Sequence, residues 1–202
     1  MPLTDDQLRI RKTGITASEA AAVMGIHPYK TLDDVLKSKL DDYIQVDLSH
    51  KPRVYWGIQL EDDIIHTYTT SIGHEPVFPG TIRHKTIPEI LATPDAILPT
   101  AGHGVEAKAT WFPNCKRYGK VETGIFPEEH LIQCAVNMAV FDYDEWALAA
   151  LLNGWDYRVY MIKRDRSLEA RILDTCAEVY RNWVLKAKFL GLNISHALAE
   201  NN

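Results

Sequence analysis

The stretch "ATPDAILPTAGHGVEAKAT", residues 92–110, decides the fold. Two apolar segments on either side of the loop "PTAGH" predict a pair of neighbouring β-strands, at residues 91–98 and 104–111. Because side chains two residues apart in a strand point to the same face, Glu106 and Lys108 should share one face of the second strand. The other face should carry small and apolar residues, namely Val105, Ala107 and Ala109.

The same stretch places charge on what should be the interior of a sheet. Asp95 belongs to the first strand, where a hairpin would bring it near Glu106. Two buried carboxylates repel each other, and a divalent cation such as Mg²⁺ removes that cost. Lys108 beside such a cation could hold or deprotonate a water, or neutralise charge as a phosphodiester breaks. The alternative interpretation is a solvated strand face, because a Glu-x-Lys pair alone is common.

The composition limits the class of protein. With 202 residues, 46% of them hydrophobic, the chain fits one domain with a sizeable core. A formal charge of −5 does not indicate a nucleic-acid binder, so any basic surface must be local. Three cysteines without a Cys-x-x-Cys pair argue against a disulfide framework or a zinc ribbon. The same cysteine pattern favours a reducing interior, so we expect a cytoplasmic protein, and no segment resembles a signal peptide or a membrane span.

Local patterns predict helices around the strands. Thr4 and Thr16, each followed three residues later by Gln or Glu, form capping boxes that predict two short helices. Asn153-Gly154 between two alternating segments predicts a tight hairpin. Further helices are expected from Thr31 or Asp33 through Leu40, over residues 54–73, from Pro127 to about Phe141, and over residues 168–190, with a polar connection at 41–53 and a short strand at 77–83.

The pattern "PDAILPTAGHGVEAK" resembles the core motif of the PD-(D/E)XK nuclease superfamily. More narrowly, the chain resembles the lambda-type phage exonucleases and the YqaJ-like viral recombinase family. The matching segments occur in family order over about residues 9–165: "RKTGITASEAAAVMGIHPYKT", "WGIQLED", "ATPDAIL", "VEAKAT", "HLIQCAVNMAVF" and "VYMIKRD". The resemblance implies a single α/β domain with a restriction-endonuclease-like core and a central mixed sheet flanked by helices. Its parts would be a helical segment (1–75), a sheet core with the Glu-x-Lys motif (76–165) and a C-terminal helix (166–202).

The resemblance also implies roles in catalysis. Lys108 would orient or activate water, and Gln133 would position water or phosphate, although a glutamine in so apolar a helix could also be a satisfied core amide. Two Mg²⁺ ions, or Mn²⁺, would be bound by Asp95, Glu106, the backbone carbonyl of Ala107, and Glu61 at the edge of the site. Ala107 stands where the family commonly has a larger apolar residue, a change that removes no charged group.

A second implied site would bind DNA. Arg11 and Ser18, at a helix N-terminus, would hold a terminal 5′-phosphate, and Thr93 would join them where the family commonly has serine. The alternative is an ordinary helix cap with a surface arginine. A basic loop would contact DNA through Lys116, Arg117 and Lys120, unless it is simply a solvated loop.

The activity implied is that of a Mg²⁺-dependent 5′ to 3′ exonuclease. It would degrade one strand of linear double-stranded DNA to mononucleotides and leave a 3′ overhang for phage-type recombination. The family implies a homotrimeric ring threaded by DNA, a single-strand annealing recombinase as partner, and a phage or prophage gene in a bacterial host. The alternatives are another nuclease of the superfamily, such as an endonuclease, and a non-catalytic DNA-binding module. The histidines lack the spacing of zinc ligands, and His103 should lie in the turn between the strands.

Overall fold

The strand that carries Glu106 and Lys108 lies in the middle of the larger of two sheets. The computed structural model of the protein describes residues 4–40 and 48–190. The strands are β1 (Ile15–Thr16), β2 (Ile82–Arg83), β3 (Ile90–Ala92), β4 (Ala96–Leu98), β5 (His103–Thr110), β6 (Glu145–Leu152) and β7 (Asp156–Lys163). The larger sheet has the order β4-β5-β6-β7, and the smaller one has the order β1-β3-β2.

The larger sheet is mixed. Strand β5 pairs antiparallel with β4 and parallel with β6. Because parallel strands need a crossover connection, the chain passes through a helix between β5 and β6. Strands β6 and β7 form the predicted hairpin, with φ of 54° at Asn153 and 83° at Gly154. Positive φ at both positions is what a two-residue turn of this kind requires.

Helices cover both faces of this sheet. They are α1 (Asp5–Arg11), α2 (Ala17–Val23), α3 (Leu32–Ser38), α4 (Pro52–Ile72), α5 (Glu128–Phe141), α6 (Arg166–Val179) and α7 (Lys186–Leu190), with a π-helical segment at Tyr180–Leu185 between the last two. The capping boxes predicted at Thr4 and Thr16 are confirmed. None of the helices in the described ranges is long and apolar enough to cross a bilayer.

The two helices that matter most for the site lie on opposite faces of β5. Residues Leu60, Ile64 and Tyr68 of α4 belong to one apolar cluster with Val105 and Ala107. Residues of α5, including Cys134 and Met138, pack with Trp146 and Leu148 in another cluster. The predicted alternation along β5 is therefore confirmed, because Val105 and Ala107 contact the α4 side while Glu106 reaches α5.

The predicted strand over residues 91–98 is wrong in its extent. Pro94 lies in its middle and has no N–H to donate, so the ladder breaks there. The part before Pro94 becomes β3 of the smaller sheet, and the part after it becomes β4 of the larger one. The predicted strand at 77–83 is also wrong in extent, because it is reduced to a single bridge between Val77 and Ile97 and to β2.

Three smaller predictions need correction. His103 is not in the turn but begins β5, where its Nε2 lies 2.7 Å from the hydroxyl of Tyr68. Pro127 precedes α5 rather than forming its first residue. The last helix begins at Arg166 because the side chain of Asp165 caps it, and it is interrupted by the π-helical segment. Residues 41–47 and 191–202, which belong to the predicted connection and C-terminal part, lie outside the described residues.

Close packing at one glycine supports a prediction on stability. Gly104 of β5 lies against the buried indole of Trp146, and a Cβ at position 104 would overlap that ring. We expect Gly104→Ala to lower the free energy of unfolding by about 1–3 kcal/mol, because a packed core has no room for an added methyl group. Gly57→Ala in α4 is the matched control, since a Cβ there would meet no neighbouring element within 4 Å and should leave the stability unchanged or raise it by up to about 1 kcal/mol. Equal denaturation midpoints for Gly104→Ala and the unmodified protein would contradict this account.

Candidate active site

Asp95 lies at the edge of β5, immediately before the first residue of β4. The pairing of β4 with β5 ends at Ala96 and Val105. Further along β5, the side chain of Asp95 forms the hydrogen bond that a neighbouring strand would otherwise form. Its Oδ2 accepts the backbone N–H of Ala107 at 2.7 Å. The N–H and C=O of one strand residue point to the same side, so the carbonyl of Ala107 faces the same edge. A carboxylate and a carbonyl oxygen are thus brought together.

Glu106 is the buried acid of the site. Its side chain is 1% exposed and forms an ion pair with Lys108, whose side chain is 26% exposed. From α5, Gln133 donates to Glu106 Oε1 at 2.6 Å, and Asn137 donates to Oε2 at 3.2 Å. These donors offset the cost of burying a carboxylate. The structure therefore brings Asp95, Glu106, Lys108 and Gln133 together around the edge of β5.

Asn137 is a site residue that the sequence analysis missed. It is fully buried on α5 and lies four residues after Gln133. Residues at that spacing share one face of a helix, so both amides reach the same carboxylate. The available signal was a second amide one turn along an otherwise apolar helix.

The carboxylates and the amine influence one another's protonation. Burial, and then the charge of Glu106, raises the pKa of Asp95 to about 7. Burial and the charge of Asp95 also raise the pKa of Glu61, which lies half-buried on α4. Burial alone would lower the pKa of Lys108, but Glu106 and Asp95 outweigh it and raise the pKa above its usual value. Lys108 is therefore an ammonium at neutral pH.

The donor set fits a hard divalent cation. Within the described ranges, no three His, Cys, Asp or Glu side chains form a metal-binding group by themselves. Mg²⁺ does not need one, because it commonly takes one or two carboxylates and completes its coordination with water and phosphate oxygens. Asp95, Glu106 and the carbonyl of Ala107 supply only oxygen atoms. Burial, and then the nearby charge of Glu106, raises the pKa of Asp95, and a cation bound between the two carboxylates would offset both effects.

Arg11 lies in a cluster of hydroxyl groups next to the carboxylates. Its guanidinium donates to Ser18 Oγ at 3.0 Å, to Thr16 Oγ1 at 3.3 Å and to Thr93 Oγ1 at 3.4 Å. The structure thus brings Arg11, Ser18 and Thr93 together, although Arg11 and Thr93 are far apart in sequence. Thr93 is two residues before Asp95, so this cluster adjoins the carboxylate site.

Glu19 supports this cluster from the buried side. It accepts the hydroxyl of Thr16 at 2.8 Å, Lys39 Nζ at 2.5 Å and Lys30 Nζ at 3.3 Å. Lys39 is also buried and donates to the carbonyl of Arg11 at 2.8 Å. The sequence analysis assigned Glu19 only to a capping box and gave Lys39 no role. With Arg11, three cations face this one carboxylate, so the cluster retains positive charge that would attract an anion.

The cations of the predicted basic loop have three different environments. Arg117 forms a bidentate ion pair with Glu129, a buried acid at the start of α5. Lys116 Nζ lies 4.6 Å from the ring centre of Phe112. Lys120 is exposed. Of these three cations, Lys116 and Lys120 therefore form no ion pair with a described carboxylate.

The comparison with known families decides which group of proteins this chain is part of. Residues 6–144 match the model of the YqaJ-like viral recombinase domain. The chain belongs to the YqaJ-like viral recombinase family. It is 26% identical over 199 residues to a Bacillus subtilis (strain 168) protein described as "Uncharacterized protein YqaJ". That similarity covers 97% of this chain but 61% of the relative, so the chain spans about three-fifths of the relative's length.

Solved structures share the fold of this YqaJ-like protein. The alkaline exonuclease LHK-Exo of Laribacter hongkongensis superposes with a TM-score of 0.75 at 19% identity, over 98% of this chain and all of the other. A second structure of LHK-Exo, in complex with dAMP, gives the same TM-score at 20% identity and the same coverage. A phage-related exonuclease of Haemophilus somnus gives 0.61 at 13% identity, over 86% of this chain and 96% of its own. At such identities the likeness to these structures establishes the fold alone.

The buried Glu19 leads to a prediction on acid stability. Burial alone would raise its pKa, but Lys39, Lys30 and Arg11 lower it from 4.5 to about 2. A carboxyl with a lowered pKa stabilises the folded state above pH 4.5, and that stability is lost as pH falls towards 2. Glu19→Gln should therefore be less stable than the unmodified YqaJ-like protein by about 3 kcal/mol at pH 7, and the gap should narrow below pH 4.

Urea unfolding at several pH values measures that gap. Glu122→Gln, which changes an exposed glutamate, is the control and should leave the free energy of unfolding within about 0.5 kcal/mol of the unmodified protein at every pH. A gap between Glu19→Gln and the unmodified protein that stays constant from pH 7 to pH 2.5 would contradict the assigned role of the carboxylate.

Proposed function

We propose that this YqaJ-family protein is a Mg²⁺-dependent exonuclease that degrades one strand of linear double-stranded DNA in the 5′ to 3′ direction. It would release mononucleotides and leave a 3′ single-stranded overhang for recombination by strand annealing. The observation that carries the proposal is the convergence of Asp95, Glu106 and Lys108 at the edge of β5. The hydroxyl cluster around Arg11 lies beside them and supports binding of a DNA end.

The metal site proposed here has oxygen ligands. Asp95, Glu106 and the carbonyl of Ala107 would hold Mg²⁺, or Mn²⁺ in its place, with Glu61 serving a second ion. A bound divalent cation lowers the pKa of a coordinated water and stabilises charge on a phosphoryl oxygen. Gln133 and Asn137 hold the carboxylate of Glu106 in one orientation. Fixed carboxylates of this kind bind a cation without first reorganising.

Lys108 would act through its charge. Its raised pKa keeps it protonated, so it donates hydrogen bonds rather than removing a proton. An ammonium at this position can hold the attacking water through its oxygen or neutralise the charge that develops on the phosphate. Its partly exposed position leaves it accessible to a substrate.

The proposed direction of degradation rests on the cluster around Arg11. A guanidinium with neighbouring hydroxyl groups suits a terminal phosphate, which carries two negative charges and several acceptor oxygens. The three residues proposed to bind it are Arg11, Ser18 and Thr93. An end held there would place the next phosphodiester towards Asp95 and Lys108.

The assembly and partners are part of the same proposal. A homotrimeric ring threaded by duplex DNA would reconcile DNA binding with a formal charge of −5, because basic residues can line a channel inside an acidic exterior. Lys116 and Lys120 are the proposed channel contacts, and Arg117 would join them only by exchanging its ion pair with Glu129 for a phosphate. A single-strand annealing recombinase would take up the 3′ overhang. The proposed setting is the cytoplasm of a bacterial host, with the gene carried by a phage or prophage.

A comparison of linear and covalently closed DNA tests the proposal. In Mg²⁺, linear duplex with 5′-phosphates should be converted to mononucleotides and single strands, whereas a closed circle of the same sequence should stay intact. Nicking of the circle would instead identify an endonuclease. Binding of the linear duplex without cleavage of either substrate would identify a non-catalytic DNA-binding module.

A further inference from the structure

A cavity of about 180 Å³ opens beside Lys108, and Asp95 does not line it. One wall is the loop after α2, with His27 and Tyr29. Tyr118, and His130 near the start of α5, also line the cavity. Lys108 belongs both to this cavity and to the carboxylate site, so a ligand in the cavity would be next to the proposed chemistry.

Flat rings line the cavity. The ring centres of Tyr118 and His130 lie 6.0 Å apart with their planes at 35°. Tyr29 stands at the rim, with its hydroxyl donating to Asn114 Oδ1 at 3.0 Å. Surfaces made of aromatic and imidazole rings stack on nucleobases, since every base has a π-face.

The polar groups of the cavity are arranged for an uncharged ligand. The Nδ1 atom of His27 accepts the backbone N–H groups of Tyr29 at 3.1 Å and Lys30 at 2.9 Å. A neutral imidazole that accepts at Nδ1 carries its hydrogen on Nε2, which is therefore free to donate to a ligand. Burial and then the charge of Lys108 lower the pKa of His130, so that ring is neutral as well.

The one other cation of the lining is neutralised. Arg117 is paired with Glu129, which also lines the cavity. Lys108 is thus the lining residue whose charge faces the site of the proposed reaction. Apart from Lys108, the cavity offers little positive charge to a second phosphate. A neutral planar ring with hydrogen-bonding edges could stack on the ring surfaces and accept a hydrogen bond from the imidazole of His27.

We propose that this cavity binds the nucleobase of a nucleotide whose phosphate lies at Lys108. The inference rests on the proposed nuclease function and adds to it a subsite for the base. The volume fits a single base rather than a whole nucleotide, because pockets for whole small-molecule ligands are roughly 300–1,000 Å³ and this cavity is smaller. The nucleotide concerned is either the terminal one of the degraded strand or the next one along.

Binding of two small probes tests the cavity independently of catalysis. Calorimetry in the presence of Ca²⁺ compares dAMP with 2-deoxyribose 5-phosphate, which has the phosphate and sugar but no base. We expect dAMP to bind about 10-fold more tightly, as base stacking supplies. His27→Ala should reduce that preference, whereas His74→Ala should not, because His74 contacts Thr100 and does not line the cavity. Equal affinity of the unmodified protein for the two probes would overturn the proposal.

Abasic DNA then identifies the nucleotide. Linear duplexes with a 5′-phosphate carry a tetrahydrofuran residue at either the first or the second position of the degraded strand. One of the two abasic substitutions should slow release of the first nucleotide about 10-fold. His27→Ala should slow release from the intact end, but it should cause no further slowing on the duplex whose missing base the cavity would have bound. Equal rates on the intact end and on both abasic ends would overturn the base subsite while the exonuclease proposal stands. Failure to degrade any end would contradict the exonuclease proposal, and the probe comparison would still decide whether the cavity binds a base.

Discussion

Replacing Lys108 by alanine is expected to slow DNA degradation by about 10²–10³-fold, which is the usual effect of removing one charge-stabilising group from an active site. The substitution removes the ammonium that contacts Glu106 and faces the proposed substrate. Asp95→Asn should have a comparable effect, since it removes a ligand charge while keeping an oxygen that can accept the N–H of Ala107. Single-turnover digestion of 5′-phosphorylated linear duplex in Mg²⁺ measures both rates.

The control for this experiment is a lysine on the same sheet. Lys163, exposed at the end of β7, should be replaceable by alanine with no loss of rate. Thermal melting of each variant separates a loss of activity from a loss of folding, because Lys108→Ala leaves Glu106 buried with amide donors alone. Digestion by either site variant at the unmodified rate would show that the carboxylates and the ammonium are not the active site.

Replacing Arg11 by alanine is expected to abolish a preference for 5′-phosphorylated ends. Hydrogen bonds to a charged group contribute about 1.5–3 kcal/mol, so the unmodified protein should degrade a 5′-phosphate end roughly 10- to 100-fold faster than a 5′-hydroxyl end. Without the guanidinium, the hydroxyl groups of Ser18 and Thr93 remain but the positive charge that faces the phosphate is lost. Initial rates on two duplexes that differ only in the terminal phosphate measure the preference.

Two further variants sharpen this test. Arg11→Lys keeps the charge but cannot reach three hydroxyl oxygens from one planar group, so an intermediate preference is expected. Arg9→Ala, on the exposed side of the same helix, should keep the full preference. Equal rates of the unmodified protein on both ends would remove the role proposed for Arg11.

The parts of the site that could be predicted from the sequence depend on short-range rules. Alternation along β5 placed Glu106 and Lys108 on one face, and the ion pair between them follows from it. Helix capping at Thr16 and the turn at Asn153-Gly154 are equally local. The resemblance to a family, rather than any pattern in the residues, supplied Arg11 and its proposed ligand.

The parts that could not be predicted depend on tertiary packing. Asn137 reaches Glu106 because of where α5 packs across the sheet. The spacing of residues along the chain does not contain this information. Lys39 is buried beside Glu19 across 20 positions of sequence, although lysine is usually an exposed residue. Proline at position 94 is visible in the sequence as a break in the strand. That β3 then pairs with β1 and β2, whereas β4 pairs with β5, depends on tertiary structure.

A time course on end-labelled linear duplex, with and without EDTA, tests the central claim most directly. The strand carries a label at its 5′ end or at its 3′ end in parallel reactions with Mg²⁺. We predict that the 5′ label appears at once in mononucleotides, that the 3′ label stays in long single strands until late, and that EDTA stops both. Early release of the 3′ label, or undiminished cleavage in EDTA, would contradict a metal-dependent 5′ to 3′ site built from Asp95, Glu106 and Lys108.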